Sequence, residues 1–142
     1  MAGLTHLSIG LAAKPVAPRI PLPILIISAY LIDIVWGVFY VTGFDRESDP
    51  GMAATYPWSH GLIMALVWSL VGGLLAWRIL DRRAGLIIGL LVFSHWLVDF
   101  ISHPMTAVFP DDVGLPIFFG NTPLVGLGLW RTRLGVAVGE YG

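Results

Sequence analysis

Long apolar runs separated by short polar clusters lay the chain out as a series of helices. Between 20 and 44 the sequence is apolar apart from a few positions, notably Ser28 and Asp33, and the stretch 24–41 is long enough to cross a bilayer. Pro21 and Pro23 fall in its first turn, where a missing amide donor does least harm, and Gly43 with Asp45, Arg46, Glu47, Asp49 and Pro50 closes it. A second run, 58–80, is rich in Leu, Val, Trp and Gly and stops at Asp81-Arg82-Arg83. A third, 84–102, follows at once and ends ahead of Pro104. The tight link predicts that the second and third runs form an antiparallel hairpin.

The two ends are less regular. Residues 1–19 open with an apolar stretch too short to cross, broken by Lys14, Pro15, Pro18 and Arg19. This predicts a re-entrant or interfacial helix, with a signal-like start as the alternative. Residues 115–139 are again apolar, but Pro116, Pro123, several glycines and Arg131-Thr132-Arg133 interrupt them. They predict a further, partial span in a chain that stops without a polar tail, as a truncated one would. The expected fold is an all-α integral membrane bundle, one domain over 1–142, with transmembrane helices at 20–44, 58–80 and 84–102 and a short amino-terminal helix.

Composition agrees with the pattern. Hydrophobic residues make up 56% of the 142 positions and charged residues 12%, outside the usual range of soluble domains on both counts. A net charge of -1 with no basic stripe excludes nucleic acid as a partner. The lipid bilayer is the expected one, and oligomerisation is left open. With no cysteine there is no disulfide framework or thiolate, so any metal site must use nitrogen and oxygen ligands. Lys14, Arg19, Arg78, Arg82 and Arg83 lie on one set of connections and Asp45, Glu47, Asp49, Asp111 and Asp112 on the other. Positive-inside counting places the amino terminus in the cytoplasm and His60, Asp99 and His103 toward the outer face. His6 joins them only if the amino-terminal segment dips into the bilayer.

The chemistry concentrates in His and Asp. All four histidines follow a hydroxyl residue, at Thr5-His6, Ser59-His60, Ser94-His95 and Ser102-His103. Such side chains are expensive at membrane depth, so their presence there points to a functional site. In the ladder His95-x-x-x-Asp99-x-x-x-His103, positions four apart on a helix differ by about 40°, which sets His95, Asp99 and, less tightly, His103 on one face. Asp33, the only acid of its run, needs a partner, because an unpaired buried carboxylate costs several kcal/mol. A cation shared with the histidines supplies one. A Ser94-His95-Asp99 nucleophile triad is disfavoured, since neighbouring helical residues diverge by about 100°.

The order Thr5-His6, Asp33, Trp58-Ser59-His60-Gly61 and Ser94-His95-Trp96-Leu97-Val98-Asp99 resembles the membrane-bound metal-dependent hydrolases of bacterial inner membranes, a family that includes a LexA-regulated hydrolase. The resemblance covers residues 4 to about 104. It departs from the family at Leu31-Ile32-Asp33-Ile34-Val35, with one acid where the family has two, and at Ser59-His60-Gly61, where the family has Thr-His-Ser; both weaken the case for a second metal ion. The same ligand order is more weakly similar to the zinc-dependent phospholipase C group.

What the resemblance implies is metal-assisted hydrolysis of an ester or phosphoester. The metal would be a divalent ion, zinc foremost, held by His6, His60, His95, Asp99 and, by the ladder, His103. Asp33 would be a further ligand or the catalytic base that orients the attacking water. A lipid or amphiphilic substrate would suit a site in the outer half of the bilayer. The rival expectation is a small transporter or permease subunit in which Asp33, His95 and Asp99 form a proton relay.

Overall fold

The structure, a computed structural model, describes residues 3–44, 56–119 and 122–141. Its helices are α1 (Gly3–Ala12), α2 (Leu22–Ala29), α3 (Leu31–Thr42), α4 (Pro57–His60), α5 (Leu62–Ile79), α6 (Arg82–Ser102) and α7 (Arg133–Tyr141). The expected hairpin of apolar helices is α5 with α6. Asp81 caps α6 by accepting from the Ala84 amide at 2.8 Å. The helices meet backbone to backbone: a Cβ added to Gly73 would lie 3.0 Å from the Gly85 carbonyl oxygen, and one on Gly85 would lie 2.7 Å from that of Gly73. A rise of about 1.5 Å per residue makes α5 about 27 Å and α6 about 31 Å long. Both are apolar enough to cross a membrane, with mean hydropathy 1.9 and 2.0 over their most apolar stretches. Only 17% of that stretch of α5 is buried, so its apolar side chains face outward over most of its surface.

The run expected as one helix over 20–44 is instead two, α2 and α3, meeting at 59°. Tyr30 sits at the joint with φ -98° and ψ 3°, and the two together would make a third, bent span. α3 ends in a Schellman arrangement: Gly43 takes φ 78°, and the Gly43 and Phe44 amides bond the Tyr40 and Phe39 carbonyls. Asp45, Arg46, Glu47, Asp49 and Pro50, expected to close this run, lie outside the described residues.

The amino-terminal segment is a helix, as expected, and it folds back as a hairpin with α2. Gly10 permits this, since a Cβ there would be 3.0 Å from the Ile26 Cα. Lys14 ties the hairpin tip by donating to the Pro18 and Ile20 carbonyls at 2.9 and 2.8 Å, and Arg83 at the start of α6 donates to the Val16 carbonyl at 2.9 Å. The tip therefore lies at the basic end of the α5–α6 hairpin. Ala13, Ala17, Ile20, Leu25, Ala84, Ile88 and Leu91 pack together there as one core cluster.

Residues 115–139 do not form a continuous helix. They fold as a two-stranded antiparallel ladder pairing β1 (Leu115–Pro116) with β2 (Leu124–Val125), a 3-10 turn at Leu129–Arg131, and the start of α7. Pro123 and the left-handed Gly128, with φ 69°, are incompatible with one long helix. The segment caps the far end of α6, where the Leu127 and Gly128 amides bond the Phe100 and His103 carbonyls.

Candidate metal centre

Five of the six residues singled out in the sequence converge in the half of the bundle away from the basic tip. α1 brings His6, the start of α3 brings Asp33, α4 brings His60, and α6 brings His95 and Asp99 one turn apart. His6, His95 and Asp99 are at most 1% exposed and His60 is 8% exposed. Asp99 divides its two oxygens. Oδ1 faces His6 Nε2 at 3.4 Å, while Oδ2 faces His95 Nε2 at 3.4 Å and His60 Nε2 at 3.6 Å. Asp33 Oδ1 lies 3.4 Å from His60 Nε2 and 3.5 Å from His95 Nε2.

These separations are too long for N–H···O hydrogen bonds, whose usual length is about 2.9 Å. Accordingly His6 Nε2, Asp33 Oδ1, His95 Nε2 and Asp99 Oδ1 are buried without a hydrogen-bond partner among the described residues. Four donors about 2.0–2.1 Å from a tetrahedral ion stand about 3.4 Å from one another. The facing nitrogen and oxygen atoms thus have the pairwise spacing of neighbouring ligands. The groups His6, Asp33, His95 and His60, His95, Asp99 each bring their donor atoms within 4.8 Å of one another and could hold a metal ion. Imidazole and carboxylate suit a divalent ion of intermediate softness, so the residues present fit such a group.

Two of the histidines are oriented for ligation by their other nitrogen. His95 Nδ1 lies 2.8 Å from the Ala29 carbonyl, which can only accept, so the proton is on Nδ1 and the Nε2 lone pair faces the cluster. The bend at Tyr30 leaves that carbonyl available at the end of α2. His60 Nδ1 is 3.0 Å from Ser59 Oγ, whose own proton goes to the Tyr56 carbonyl at 3.3 Å. His6 is held differently. Its ring stacks on His95 with centroids 3.7 Å apart and meets Tyr30 edge-on at 5.9 Å. The Tyr30 hydroxyl donates to the Gly3 carbonyl, and α7 clasps α1 from outside, with Thr5 Oγ1 donating to the Gly139 carbonyl at 2.6 Å and Glu140 accepting from the Leu4 amide at 3.1 Å.

His103 stands apart. The backbone turns extended at this residue, with ψ 147°, and its Nδ1 pairs with Asp112 Oδ2 at 2.7 Å. Asp112 also accepts from the Met105 and Gly114 amides. Burial alone would raise the Asp112 carboxyl, but the bonds from His103, Gly114 and Met105 outweigh it and hold it below its ordinary value. Of the hydroxyls beside histidines, only Ser59 reaches its neighbour's ring; Ser94 and Ser102 bond carbonyls of their own helix. Ala29 and Tyr30 carry no sequence signal for their roles, whereas the Ser59-His60 adjacency does.

Fold and centre together define a small, mostly helical protein with outward apolar faces and a buried His/Asp cluster able to hold a metal ion. Comparison with protein-family models, with curated proteins and with solved structures gives no match.

Proposed function

We propose that this protein is a membrane-embedded metal-dependent hydrolase that cleaves an ester or phosphoester, working in a bacterial inner membrane with its amino terminus in the cytoplasm and zinc as its ion. The observation that carries this reading is the convergence of four buried residues and the partly buried Asp33 at 3.4–3.6 Å, with His6 Nε2, Asp33 Oδ1, His95 Nε2 and Asp99 Oδ1 left unpaired among the described residues. A proton relay, the use a transporter would make of the same residues, would be joined by hydrogen bonds near 2.9 Å.

His60, His95 and Asp99 would hold the ion, and His6 faces the other oxygen of Asp99. When bound, a divalent ion of this kind lowers the pKa of water and polarises an ester or phosphoryl oxygen. Ala29 and Ser59 fix the tautomers of His95 and His60, so both rings present Nε2 without reorganisation. Asp33 is the least enclosed member, with its side chain 14% exposed against 0–1% for His6, His95 and Asp99. We place it as the general base that orients the attacking water, with Oδ1 at the edge of the donor set.

Metal analysis of the protein purified in detergent tests the proposal. One or more equivalents of divalent metal should accompany the wild type and His103→Ala, and be lost from His95→Ala and Asp99→Ala. Hydrolysis of p-nitrophenyl ester and phosphodiester probes should follow metal content. Full metal retention in both cluster variants, or flux in liposomes with no turnover, would overturn it.

A further inference from the structure

The cluster is least enclosed at His60 and Asp33. His60 and Asp33 are its only members with side chains as much as 10% and 14% exposed, and they meet where α3 packs on α4. Trp36 follows Asp33 by three residues, on the same side of α3. Its ring stands edge-on to Tyr56 at 5.6 Å, and the Tyr56 carbonyl receives the His60 amide at 2.9 Å. Trp36 thus flanks both of the partly open residues. Its indole Nε1 is buried and has no hydrogen-bond partner among the described residues. A buried N–H left unpaired is costly, so a donor of this kind beside an open cluster is matched to an acceptor that arrives with a ligand.

What surrounds this edge is apolar. Tyr40, its ring 5.5 Å from Trp36, is 47% exposed, Phe44, 5.1 Å from Trp58, is 57% exposed, and Trp58 beside His60 is 37% exposed. A ligand approaching here meets hydrocarbon-like surface on the outside and donors within.

We infer that Trp36 is a specificity-determining residue for an amphiphilic substrate. The substrate enters at the α3–α4 seam from the bilayer side, and the Trp36 indole donates to an oxygen of its headgroup while the alkyl chain lies along Tyr40, Phe44 and Trp58. The inference rests on the hydrolase reading and adds to it the substrate class, an ester or phosphoester joined to an alkyl chain.

Dodecylphosphonate, whose C–P bond resists hydrolysis, and methylphosphonate serve as probes on the metal-loaded full chain in nanodiscs. Binding is read by phosphorus NMR for wild type and Trp36→Phe, which keeps an aromatic ring and removes the N–H. Wild type should bind the long-chain probe more tightly than the short one, and Trp36→Phe should weaken it about tenfold with metal content unchanged. Should Trp36→Phe not fold, the wild-type Trp36 indole resonance reads the same contact, and a downfield shift on adding dodecylphosphonate supports it. Equal binding by wild type and variant, equal binding of both probes, or an unmoved indole resonance overturns the inference and leaves the hydrolase reading standing. A wild type that carries no metal overturns that reading, and this one with it.

Discussion

Replacing Asp99 by Asn separates a metal-held cluster from a bare network of ion pairs. Asp99 is 1% exposed and faces three histidines at 3.4, 3.4 and 3.6 Å, so Asn fits the space while removing the charge and one ligand. An ion present at 100 to 1,000 times its Kd stabilises a fold by about 2.7 to 4.1 kcal/mol. Losing a partner one step removed from a metal already weakens affinity about 10- to 100-fold, so losing a ligand removes most of that stabilisation. At about 2–4 °C per kcal/mol, the melting temperature of Asp99→Asn in detergent should fall about 5–15 °C below wild type. The assay is a pair of thermal melts followed by tryptophan fluorescence, with and without a chelator. A chelator should lower the wild type and leave the variant nearly unmoved, closing the gap. Ion pairs alone behave otherwise: removing one partner leaves the others uncompensated and costs about 3–5 kcal/mol whether or not a chelator is present. A gap of the same size in both conditions would refute the metal-centred account.

Three further outcomes follow from the contacts. Ser59→Ala removes the partner that fixes the His60 ring and should weaken metal binding about 10- to 100-fold in chelator competition; unchanged affinity would deny Ser59 that role. Asp112, held below its ordinary value by His103 and two amides, contributes stability that is present above the unfolded carboxylate pKa of about 3.9 and is lost as pH falls toward its folded value. Acid melts of Asp112→Asn should lack that component, and identical acid profiles for variant and wild type would contradict it. Gly85→Ala puts a methyl group 2.7 Å from the Gly73 carbonyl oxygen, backbone that cannot swing aside, and should cost about 1–3 kcal/mol by thermal melt; a neutral result would mean that α5 and α6 are less tightly apposed.

The hairpin of α5 and α6 was legible because its signals are local: two long apolar runs and the tight Asp81-Arg82-Arg83 link between them. The gathering of His6, Asp33, His60, His95 and Asp99 was legible for a different reason, the cost of isolating such groups in an apolar chain. What escaped the sequence depends on distant partners. Nothing at Tyr30-Leu31 marks a helix break, since neither residue is Gly or Pro. The joint is stabilised from elsewhere, by the Tyr30 hydroxyl reaching Gly3 and by His95 bonding the Ala29 carbonyl. His103 was placed on the ladder face by continuing helical spacing into the residue before Pro104, where that spacing no longer applies. In 115–139 the apolar composition pointed to a span and the prolines and glycines against one; the turn-forming residues prevailed.

His6 shows how the remaining tension resolves. Counting basic residues puts Lys14 and Arg19 at one end of the bundle and the cluster toward the other, which on sequence alone strands His6 with the former. The α1–α2 hairpin removes the conflict by reversing direction at its tip: Val16 meets Arg83, while His6 and Ala29 both return to His95 and Asp99. His95 lies 12 residues beyond Arg83 along α6, about 18 Å at 1.5 Å per residue. The ten residues from His6 to Val16 can cover that distance only with their turn included, so α1 ends well short of a full crossing. A half-length hairpin of this kind delivers one imidazole from its first helix and one carbonyl from its second to the same depth. With both arms helical and packed on α6, its backbone groups are largely satisfied along the way. The short amino-terminal helix, unable to span, is thereby suited to carry a ligand into the interior from the end where the chain's positive charge is concentrated.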